Sequence, residues 1–403
     1  MRLLGLTPLG IIIALLAPAC DDPGSAAAES DVTADDTMAA PDTVSNLPDV
    51  PPAAVGLPLL GAGSHSPEGL VVETLLDASQ GLGVPRDLAF NPNVRDDIAE
   101  LWVADADMTM FIVTDPATPS MHVKKAQSLG SDHFMPTPVG LAFGDAGTMA
   151  TVHETDWVTQ SSTPADFMGP TLWPSDSSAF NGGWKSHLDM LHDSPDAVGI
   201  AWDHGNAFWV FDGFHESITY YDFVHDHGPG GEDHSDGVIV RWVEGEVAYL
   251  PGVTSDMALD HSDGALYIAD TGNARIAVLD TASGTPGGVI GPNYDDASMH
   301  ARKDGVLVTL IDMAALGASQ PTGLVLRDRT LWVSDRSTSR VYAFEVDDPT
   351  DPIDWLDLSS VVPAGQLGAI ELDHEGRLLV LDVEGARVLR LSLAADAATA
   401  TGH

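Results

Sequence analysis

Two histidines, His187 and His192, lie five residues apart in the stretch "HLDMLH" and are well suited to binding a transition metal. Neutral imidazole is a ligand for zinc, copper, iron and nickel. Five residues rotate a helix by roughly 140°, and the same step reverses the face of a strand. A regular element therefore does not aim both rings at one ion. A shared site requires an irregular loop that the rest of the fold positions.

The elements that must position these histidines recur along the chain. Six short β-prone runs each follow an apolar strand of their own: "LWVAD" at 101, "MATVH" at 149, "FWVFD" at 208, "LYIAD" at 266, "LWVSD" at 331 and "LLVLD" at 378. Turn residues such as "HSDG" (261–264) separate the strands, as hairpins require. Six such repeats predict an all-β, six-bladed β-propeller. A β-sandwich and a seven-bladed ring are the alternatives.

The last three repeats share a further pattern, in which an Arg follows the Asp at the end of the second strand by five residues. The pairs are Asp270 and Arg275, Asp335 and Arg340, and Asp382 and Arg387. The run "LYIADTGNARIAVLD" (266–280) resembles the NHL repeat. This resemblance implies an NHL-like propeller. We interpret each Asp and Arg as a structural pair that holds the turn between the second and third strands.

The last repeat supplies only three strands before the chain ends, and the ring must close without an open edge. The apolar, β-prone run "GLVVETLL" (69–76) provides the missing strand. We predict that it pairs with "RVLRLSL" (387–393), so that an N-terminal strand completes the last blade. The predicted propeller spans residues 65–396, and a disordered tail covers 397–403.

The N-terminal segment predicts export. Residues 1–19 combine Arg2, a short apolar run and small residues, as in a secretory signal peptide. The stretch "LLAPAC" resembles a bacterial lipobox, which predicts a lipid on Cys20; ordinary cleavage that leaves a free thiol is the alternative. Residues 20–64 read as a flexible tether rich in Ala, Asp and Pro. We expect a lipoprotein of the bacterial cell envelope, extracytoplasmic and in contact with the membrane only through its lipid.

The charge balance limits the class of partner. The chain has 60 acidic and 17 basic residues, for a formal net charge of -43. Nucleic-acid binding draws on clustered Lys and Arg, so this class is excluded. Docking on anionic lipid through a basic face is disfavoured for the same reason. The expected partner is a protein or a small-molecule ligand.

Blades two and three depart from the repeat. Blade two has His153 where the other five blades have Asp, and Glu154 and Asp156 follow at once. Blade three continues as "GFHES", with His215 where blade four has Asn273. In a propeller, the turn after the second strand and the connection into the next blade lie on one face. We therefore expect His153, His187, His192 and His215 to gather near the channel mouth.

Such a gathering predicts a site for a transition metal such as zinc or copper. Glu154 or Glu216 would then act as base toward a metal-bound water. Asp156 is a candidate ligand-binding residue at the same place. Two alternatives stay open: the histidines make ordinary hydrogen bonds in loops, or they hold an organic ligand without metal.

Arg86 is a second departure, because it is the only charged side chain at the six matching inner-strand starts. If it faces the channel, it suits a carboxylate or phosphate group. A salt bridge to a neighbouring acidic residue is the alternative.

The stretch "HDHGPGGEDHSDG" (225–237) lies between the third and fourth strands of blade three, which puts it on the opposite face. Asp226, Glu232, Asp233 and Asp236 are predicted calcium ligands, since Ca²⁺ prefers carboxylate oxygens. A solvated acidic loop is the alternative.

Two functions follow from these features. The first is a binding platform for a ligand or protein, a role that the NHL resemblance implies. The second is a metal-dependent hydrolase or lyase with a His-rich site at the channel mouth of blades two and three. The sequence contains no "GxSxG" motif, and its single cysteine precedes the folded body.

Overall fold

The computed structural model describes residues 56–94, 99–107, 109–118, 120–126, 137–145, 147–158, 168–180, 187–229 and 231–394. The predicted signal peptide, Cys20 and the predicted tail 397–403 lie outside these residues, as does most of the predicted tether.

The chain folds into successive antiparallel blades, and its first strand belongs to the last of them. In the first half of the molecule the strands are β1 Leu70–Asp77, β2 Pro85–Phe90, β3 Glu100–Asp105, β4 Thr109–Thr114, β5 His122–Ala126, β6 Pro138–Phe143, β7 Thr148–His153, β8 Thr171–Pro174, β9 Asp189–Met190, β10 Ala197–Trp202, β11 Ala207–Asp212, β12 Ser217–Asp222 and β13 Val238–Trp242. Blades one, two and three are β2–β5, β6–β9 and β10–β13.

The second half continues the pattern. Its strands are β14 Met257–Asp260, β15 Ala265–Asp270, β16 Arg275–Asp280, β17 Thr285–Val289, β18 Ser298–Lys303, β19 Val306–Asp312, β20 Pro321–Arg327, β21 Thr330–Asp335, β22 Arg340–Glu345, β23 Asp354–Asp357, β24 Leu367–Leu372, β25 Leu378–Asp382 and β26 Arg387–Leu393. A short 3-10 helix, Pro58–Leu60, precedes β1, and four others lie between strands: Ala78–Gln80, Ser177–Phe180, Thr271–Asn273 and Met313–Leu316.

The six innermost strands contact one another in cyclic order, β2, β6, β10, β14, β20 and β24, and β24 returns to β2. This ring confirms the predicted six-bladed β-propeller. Each second strand lies in the middle of a blade whose two faces are covered by its neighbours. For this reason β3, β7 and β11 are buried at every position and read as apolar runs instead of alternating ones.

The N-terminal strand closes the ring as predicted. β1 pairs antiparallel with β26, with Leu70 opposite Leu393 and Asp77 opposite Arg387. Leu75 and Leu76 are buried in an apolar cluster that also contains Leu88 of blade one and Val388 of blade six. The first and last strands of the propeller are therefore joined in one sheet.

Blade three carries an addition that the repeat did not predict. The hairpin β17–β18 leaves blade four and joins the outer edge of blade three, where β18 runs parallel to β13. Blade three thus has six strands. A parallel pairing between strands that are far apart in sequence has no short-range signature.

The folded body begins earlier than the predicted boundary at position 65. Leu60 is fully buried against blades five and six. The N–H of Leu57 donates to Asp354 Oδ2 at 2.8 Å, and the His65 ring stacks on Trp355 at 4.1 Å between centroids. The apolar run "GLPLL" (56–60) explains this packing, because it interrupts the polar composition of the tether.

The predicted Asp–Arg pair is confirmed in blades four and six. Arg275 Nε donates to Asp270 at 2.7 Å, and Arg387 Nε donates to Asp382 at 2.9 Å. In blade five the prediction is wrong, since Arg340 instead lies over the Trp355 ring and 3.6 Å from Asp357.

The Asp at the end of the second strand has a second role, which explains why it recurs. Asp105 accepts the backbone N–H groups of Gly83 and Val84 at 2.7 and 2.9 Å. Asp335 accepts the N–H of Gln320 at 2.7 Å in the same way. Each carboxylate thus fixes the connection that enters its own blade. Asp335 also accepts hydrogen bonds from Ser337 and Thr338, which take the place of an arginine.

Within the described residues, no helix combines the length and the apolar composition that crossing a bilayer requires.

Candidate binding site at the channel mouth

The turns of blades two and three meet at Asp196. The N–H of Asp196 donates to Thr155 O at 2.9 Å, and the N–H of Gly213 donates to Asp196 O at 3.1 Å. Thr155 follows β7, whereas Gly213 follows β11 and Asp196 immediately precedes β10. These backbone bonds bring Glu154 and Asp156 of one blade beside His215 and Glu216 of the next. We call this region the blade 2–3 mouth.

Glu154 is the polar centre of the blade 2–3 mouth. Its Oε2 lies 2.9 Å from Arg86 Nη1, while its Oε1 accepts the Tyr249 hydroxyl at 2.5 Å and the N–H of Gly252 at 2.6 Å. Burial and the bond to Glu154 raise the pKa of Tyr249, so it stays a phenol and a donor. Glu154 therefore joins blade one, blade two and the connection into blade four, and its charge is matched by Arg86.

Arg86 is fixed on its backbone side as well. Its carbonyl accepts the Thr254 hydroxyl at 3.1 Å, although Thr254 belongs to the connection into blade four, across the ring. The Arg86 side chain is only 8% exposed. Arg86 therefore forms a salt bridge with an acidic residue, Glu154, as the alternative interpretation of the sequence expected. In this arrangement Arg86 positions the Glu154 side chain.

Three other carboxylates of the blade 2–3 mouth lack such a match. Asp156 and Glu216 are exposed, and Asp196 is half-buried. Within the described residues none of the three side chains has an ion-pair partner. Burial raises the pKa of Asp196, and the nearby charges of Asp156, Glu154 and Asp212 raise it further. The local potential is therefore negative.

Two large apolar side chains stand exposed among these carboxylates. Trp157 is 57% exposed and Phe214 is 64% exposed. Trp157 lies two residues after Thr155, and Phe214 follows Gly213, so both flank Asp196. Phe214 also packs edge-on against the His215 ring at 4.9 Å between centroids. Exposed aromatic rings beside carboxylates form a surface suited to binding a ligand, since they do not contribute to the packed core.

His215 replaces a residue of the repeat. Its Nδ1 lies 2.8 Å from Asp212 Oδ2, and its N–H donates to Asp212 Oδ1 at 3.0 Å. In blade four Asn273 makes the corresponding side-chain bond to Asp270 at 2.9 Å. His215 thus holds the turn, which agrees with the alternative of an ordinary hydrogen-bonding histidine. His153 is 1% exposed at the end of β7, opposite Pro138.

The predicted set of four metal-binding histidines is not brought together. His192 lies at the edge of blade two, where its Nδ1 is 2.8 Å from Asp295 Oδ1. His187 precedes β9, and its ring centroid lies 6.5 Å from that of Trp173, toward the opposite end of the blade from His153. The error has a physical reason: β9 is short and begins at the far face, so the residues before it do not reach the channel mouth.

His187 instead joins two histidines from the loop between β12 and β13. The ligand atoms of His187, His227 and His234 all lie within 4.8 Å of one another. Both partners occur in the quoted stretch "HDHGPGGEDHSDG". Their spacing was visible in the sequence, but their contact with blade two was not.

The predicted calcium ligands in that loop face solvent. Asp226 accepts the N–H of Gly228 at 3.0 Å, and Asp233 accepts the Ser235 hydroxyl at 2.7 Å. Asp236 lies 3.3 Å from His225 Nδ1, and Glu232 is exposed. Among the described residues these four form no cluster of metal-ligating atoms. Asp226 and Asp233 cap local turns, which favours the alternative of a solvated acidic loop.

Buried carboxylates line the centre of the ring below Arg86. Asp87 on β2 accepts the N–H groups of Leu88 and Leu141, both at 2.8 Å. Asp256, just before β14, accepts those of Met257 at 2.8 Å and Leu324 at 3.1 Å. Each Asp therefore bonds the inner strand of the next blade.

Burial raises the pKa of Asp87 to about 7 and raises that of Asp256 well above its ordinary value. Burial likewise raises the pKa of Glu371 on β24 to about 7. The charges of these three groups oppose one another, which adds to the shift of Asp256 and Glu371. The sequence gives little sign of Asp87 and Asp256, because Gly140, Gly199 and Gly323 occupy the matching positions in other blades, where a neighbouring strand approaches closely.

No family model matches the sequence, and no curated protein sequence matches it. The chain is similar to several solved structures. An auxiliary nutrient binding protein from Bacteroides ovatus is 14% identical over 80% of this chain and 76% of its own, with a TM-score of 0.49. A streptogramin B lyase is 11% identical over 80% and 98%, with a TM-score of 0.47. A luciferin-regenerating enzyme is 12% identical over 80% and 95%, with a TM-score of 0.49. Likeness at this level assigns no function, which must come from the site itself.

Proposed function

We propose that the protein is an extracytoplasmic, lipid-tethered propeller of NHL-like repeats that binds a positively charged ligand at the blade 2–3 mouth. One observation carries this proposal. Exposed Trp157 and Phe214 flank Asp196, and Asp156 and Glu216 beside them have no ion-pair partner in the described chain. The ligand class is an organic amine or guanidinium.

The electrostatics favour a cation over an anion. Arg86 contacts the blade 2–3 mouth, but its charge is matched by Glu154 at 2.9 Å. Burial raises the pKa of Asp196, and the nearby charges of Asp156, Glu154 and Asp212 raise it further. A cation relieves this repulsion, and its N–H groups donate charge-assisted hydrogen bonds to carboxylates. Aromatic faces attract cations as well, by about 0.5–2 kcal/mol.

The tether and location rest on the sequence. The segment 1–19 has the pattern of a signal peptide, and "LLAPAC" supports a lipid on Cys20. The acidic, Pro- and Ala-rich stretch that follows gives the propeller reach from a membrane surface. A propeller held in this way presents its channel mouth to ligands outside the cytoplasm.

The metal-dependent hydrolase or lyase finds no support at the channel mouth. His215 holds Asp212, His192 holds Asp295, and Glu154 is fully engaged with Arg86 and Tyr249. Glu216 is exposed but has no histidine cluster beside it in the described structure. A base toward metal-bound water therefore has no metal partner here.

Spermidine is the probe for this proposal, with a neutral diol of similar length as its control. We expect the full chain to bind spermidine saturably in isothermal titration calorimetry at low salt, because the site is acidic and aromatic. Binding should weaken as salt is added. The diol should give no saturable signal. Equal binding of both compounds, or of neither, contradicts the proposal.

Truncating the aromatic rings should weaken spermidine binding. We expect Trp157→Ala and Phe214→Ala each to lose about 0.5–2 kcal/mol of binding free energy, the size of a cation–π contact. Val289→Ala is the matched control, since Val289 is 79% exposed on β17, outside the blade 2–3 mouth. The ring variants should bind less tightly than this control in the same titration. If the ring variants bound spermidine as tightly as Val289→Ala does, the aromatic rings would not be part of the binding site.

A further inference from the structure

We propose that His187, His227 and His234 bind a single zinc-class transition metal ion at the outer edge of blades two and three, with Asp189 orienting the ligands. This site is separate from the blade 2–3 mouth. It joins His187, two residues before β9 at the outer edge of blade two, to the loop between β12 and β13 of blade three.

The three rings are already close. Their ligand atoms lie within 4.8 Å of one another, and the ring centroids of His227 are 5.1 Å from His187 and 4.8 Å from His234. A tetrahedral ion with metal–nitrogen bonds of about 2.0–2.1 Å needs nitrogen atoms roughly 3.3 Å apart. A shift of roughly an ångström per ring meets that need, and Gly228 and Gly231 make the loop adaptable.

The hydrogen bond of His227 Nδ1 leaves Nε2 available as a metal ligand. Its Nδ1 lies 2.5 Å from Gly228 O. A carbonyl only accepts, so Nδ1 carries the proton and Nε2 carries the lone pair. The side chain is 4% exposed, and Nε2 has no hydrogen-bond partner among the described residues. Nε2 also points into the cluster, because it lies 4.0 Å from Asp189 Oδ1. A buried lone pair of this kind is costly unless something binds it.

His234 is oriented by a carboxylate. Its Nδ1 lies 2.7 Å from Asp189 Oδ1, so the Nδ1 proton is donated there and Nε2 is left to bind a metal. A carboxylate behind a ligating histidine fixes the ring and increases its basicity. Asp189 is 1% exposed as a side chain and adds one negative charge beside a dication. Three histidine nitrogens and this carboxylate select zinc, copper or nickel over calcium or magnesium.

The geometry of the cluster favours a metal over a purely hydrogen-bonded arrangement. His227 and His234 share the Asp189 carboxylate, whose Oδ1 lies 2.7 Å from His234 Nδ1 and 4.0 Å from His227 Nε2, so it hydrogen-bonds only the first. One ion placed among the three ligand atoms, which lie within 4.8 Å of one another, would occupy the His227 Nε2 lone pair. It would also clamp the loop between β12 and β13 to blade two, and it leaves one coordination position for water.

The test uses the full chain, purified without a histidine tag and exchanged against zinc. We expect elemental analysis to find about one zinc per chain. His227→Ala and His234→Ala should retain about a tenth of that or less, and Asp189→Asn should weaken binding about 10–100-fold. His225→Ala is the matched control, because His225 belongs to the same loop but its side chain is 86% exposed. This variant should retain the full metal content.

A second measurement needs no variant. Cobalt(II) added to the wild-type chain should give the strong visible absorption of a tetrahedral site, and one equivalent of zinc should abolish it. Absence of that spectrum together with no bound zinc overturns the proposal. It is also overturned if the His227→Ala and His234→Ala chains, folded by circular dichroism, hold as much zinc as His225→Ala. Failure of spermidine binding leaves both results unaffected.

Discussion

Placing a charge at Leu76 is expected to abolish cooperative folding of the propeller. Leu76 on β1 is fully buried in the cluster that joins blade six to blade one, opposite Val388 of β26. Leu76→Ala should lower the free energy of unfolding by about 2–5 kcal/mol through lost packing. Leu76→Asp should cost more, because it buries an unpaired carboxylate as well.

The loss of unfolding free energy at Leu76 should exceed that caused by the same substitution at an ordinary core residue, because β1 closes the ring. The strand is held to β26 without a short chain connection, by its ladder, its apolar face and the Arg390–Glu73 pair at 3.1 Å. Val72→Asp is the control in the same strand, since Val72 is 37% exposed. Urea unfolding followed by tryptophan fluorescence should separate the two variants. Equal unfolding midpoints would contradict closure of the ring by β1.

The propeller is expected to become less stable as pH rises from about 5 to about 8. Burial raises the pKa of Asp87 and Glu371 to about 7 and raises that of Asp256 well above its ordinary value. In the unfolded chain such groups titrate near about 4. Between these values the folded protein retains protons that the unfolded chain has released. The contribution of these three carboxyl groups to the free energy of unfolding is present in full at about pH 4. It is lost as the pH rises through about 7.

The charged residues around these carboxylates do not reverse the direction of their pKa shifts. Arg86 faces Asp87 and Arg327 faces Glu371, and both favour ionisation, yet burial outweighs them. Asp373 adds to the shift of Glu371. One unit of pKa shift corresponds to about 1.4 kcal/mol, so the combined loss should be on the order of several kcal/mol.

Urea unfolding at both pH values measures this loss. Asp87→Asn should flatten the pH dependence, because it removes a titrating group while its amide oxygen can still accept one N–H. Asp328→Asn, an exposed change of the same charge, should leave the dependence as in the wild type. An unfolding free energy that rises toward alkaline pH would refute the account of the channel carboxylates.

The fold could be predicted from the sequence because propeller blades are built from local contacts. Runs such as "LYIADTGNARIAVLD" contain a complete hairpin with its turn, and β1 was identified by counting the strands that the last blade lacked. Arg340 and the β17–β18 hairpin escaped prediction for the opposite reason. Arg340 stacks over the Trp355 ring, and β18 pairs with β13. Both are tertiary contacts that cannot be read from the repeat pattern.

The candidate sites were predicted less completely, since they depend on contacts between distant residues. The departures at His153 and His215 did mark the blades where the aromatic and acidic residues meet. However, Glu154 is held by Arg86 and Tyr249, 68 and 95 positions away. His187 meets His227 and His234 only because β9 begins at the face that carries their loop. The sequence displayed both sets of histidines but not their distance in space.

The most direct test of the proposed cation site is the affinity of spermidine for Asp196→Asn. Asp196 has a left-handed backbone with φ of 52°, which Asn also adopts readily, so the substitution removes charge and leaves the turn intact. Asp328→Asn is matched in chemistry and in backbone, with φ of 51°, and lies in the hairpin between β20 and β21.

Isothermal titration at low salt should show about tenfold weaker binding for Asp196→Asn, equivalent to about 1.4 kcal/mol for one charge-assisted contact. The Asp328→Asn chain should bind spermidine as the wild type does. Equal affinity of the two variants would mean that any binding reflects the overall negative charge, and the blade 2–3 mouth would not be a cation site.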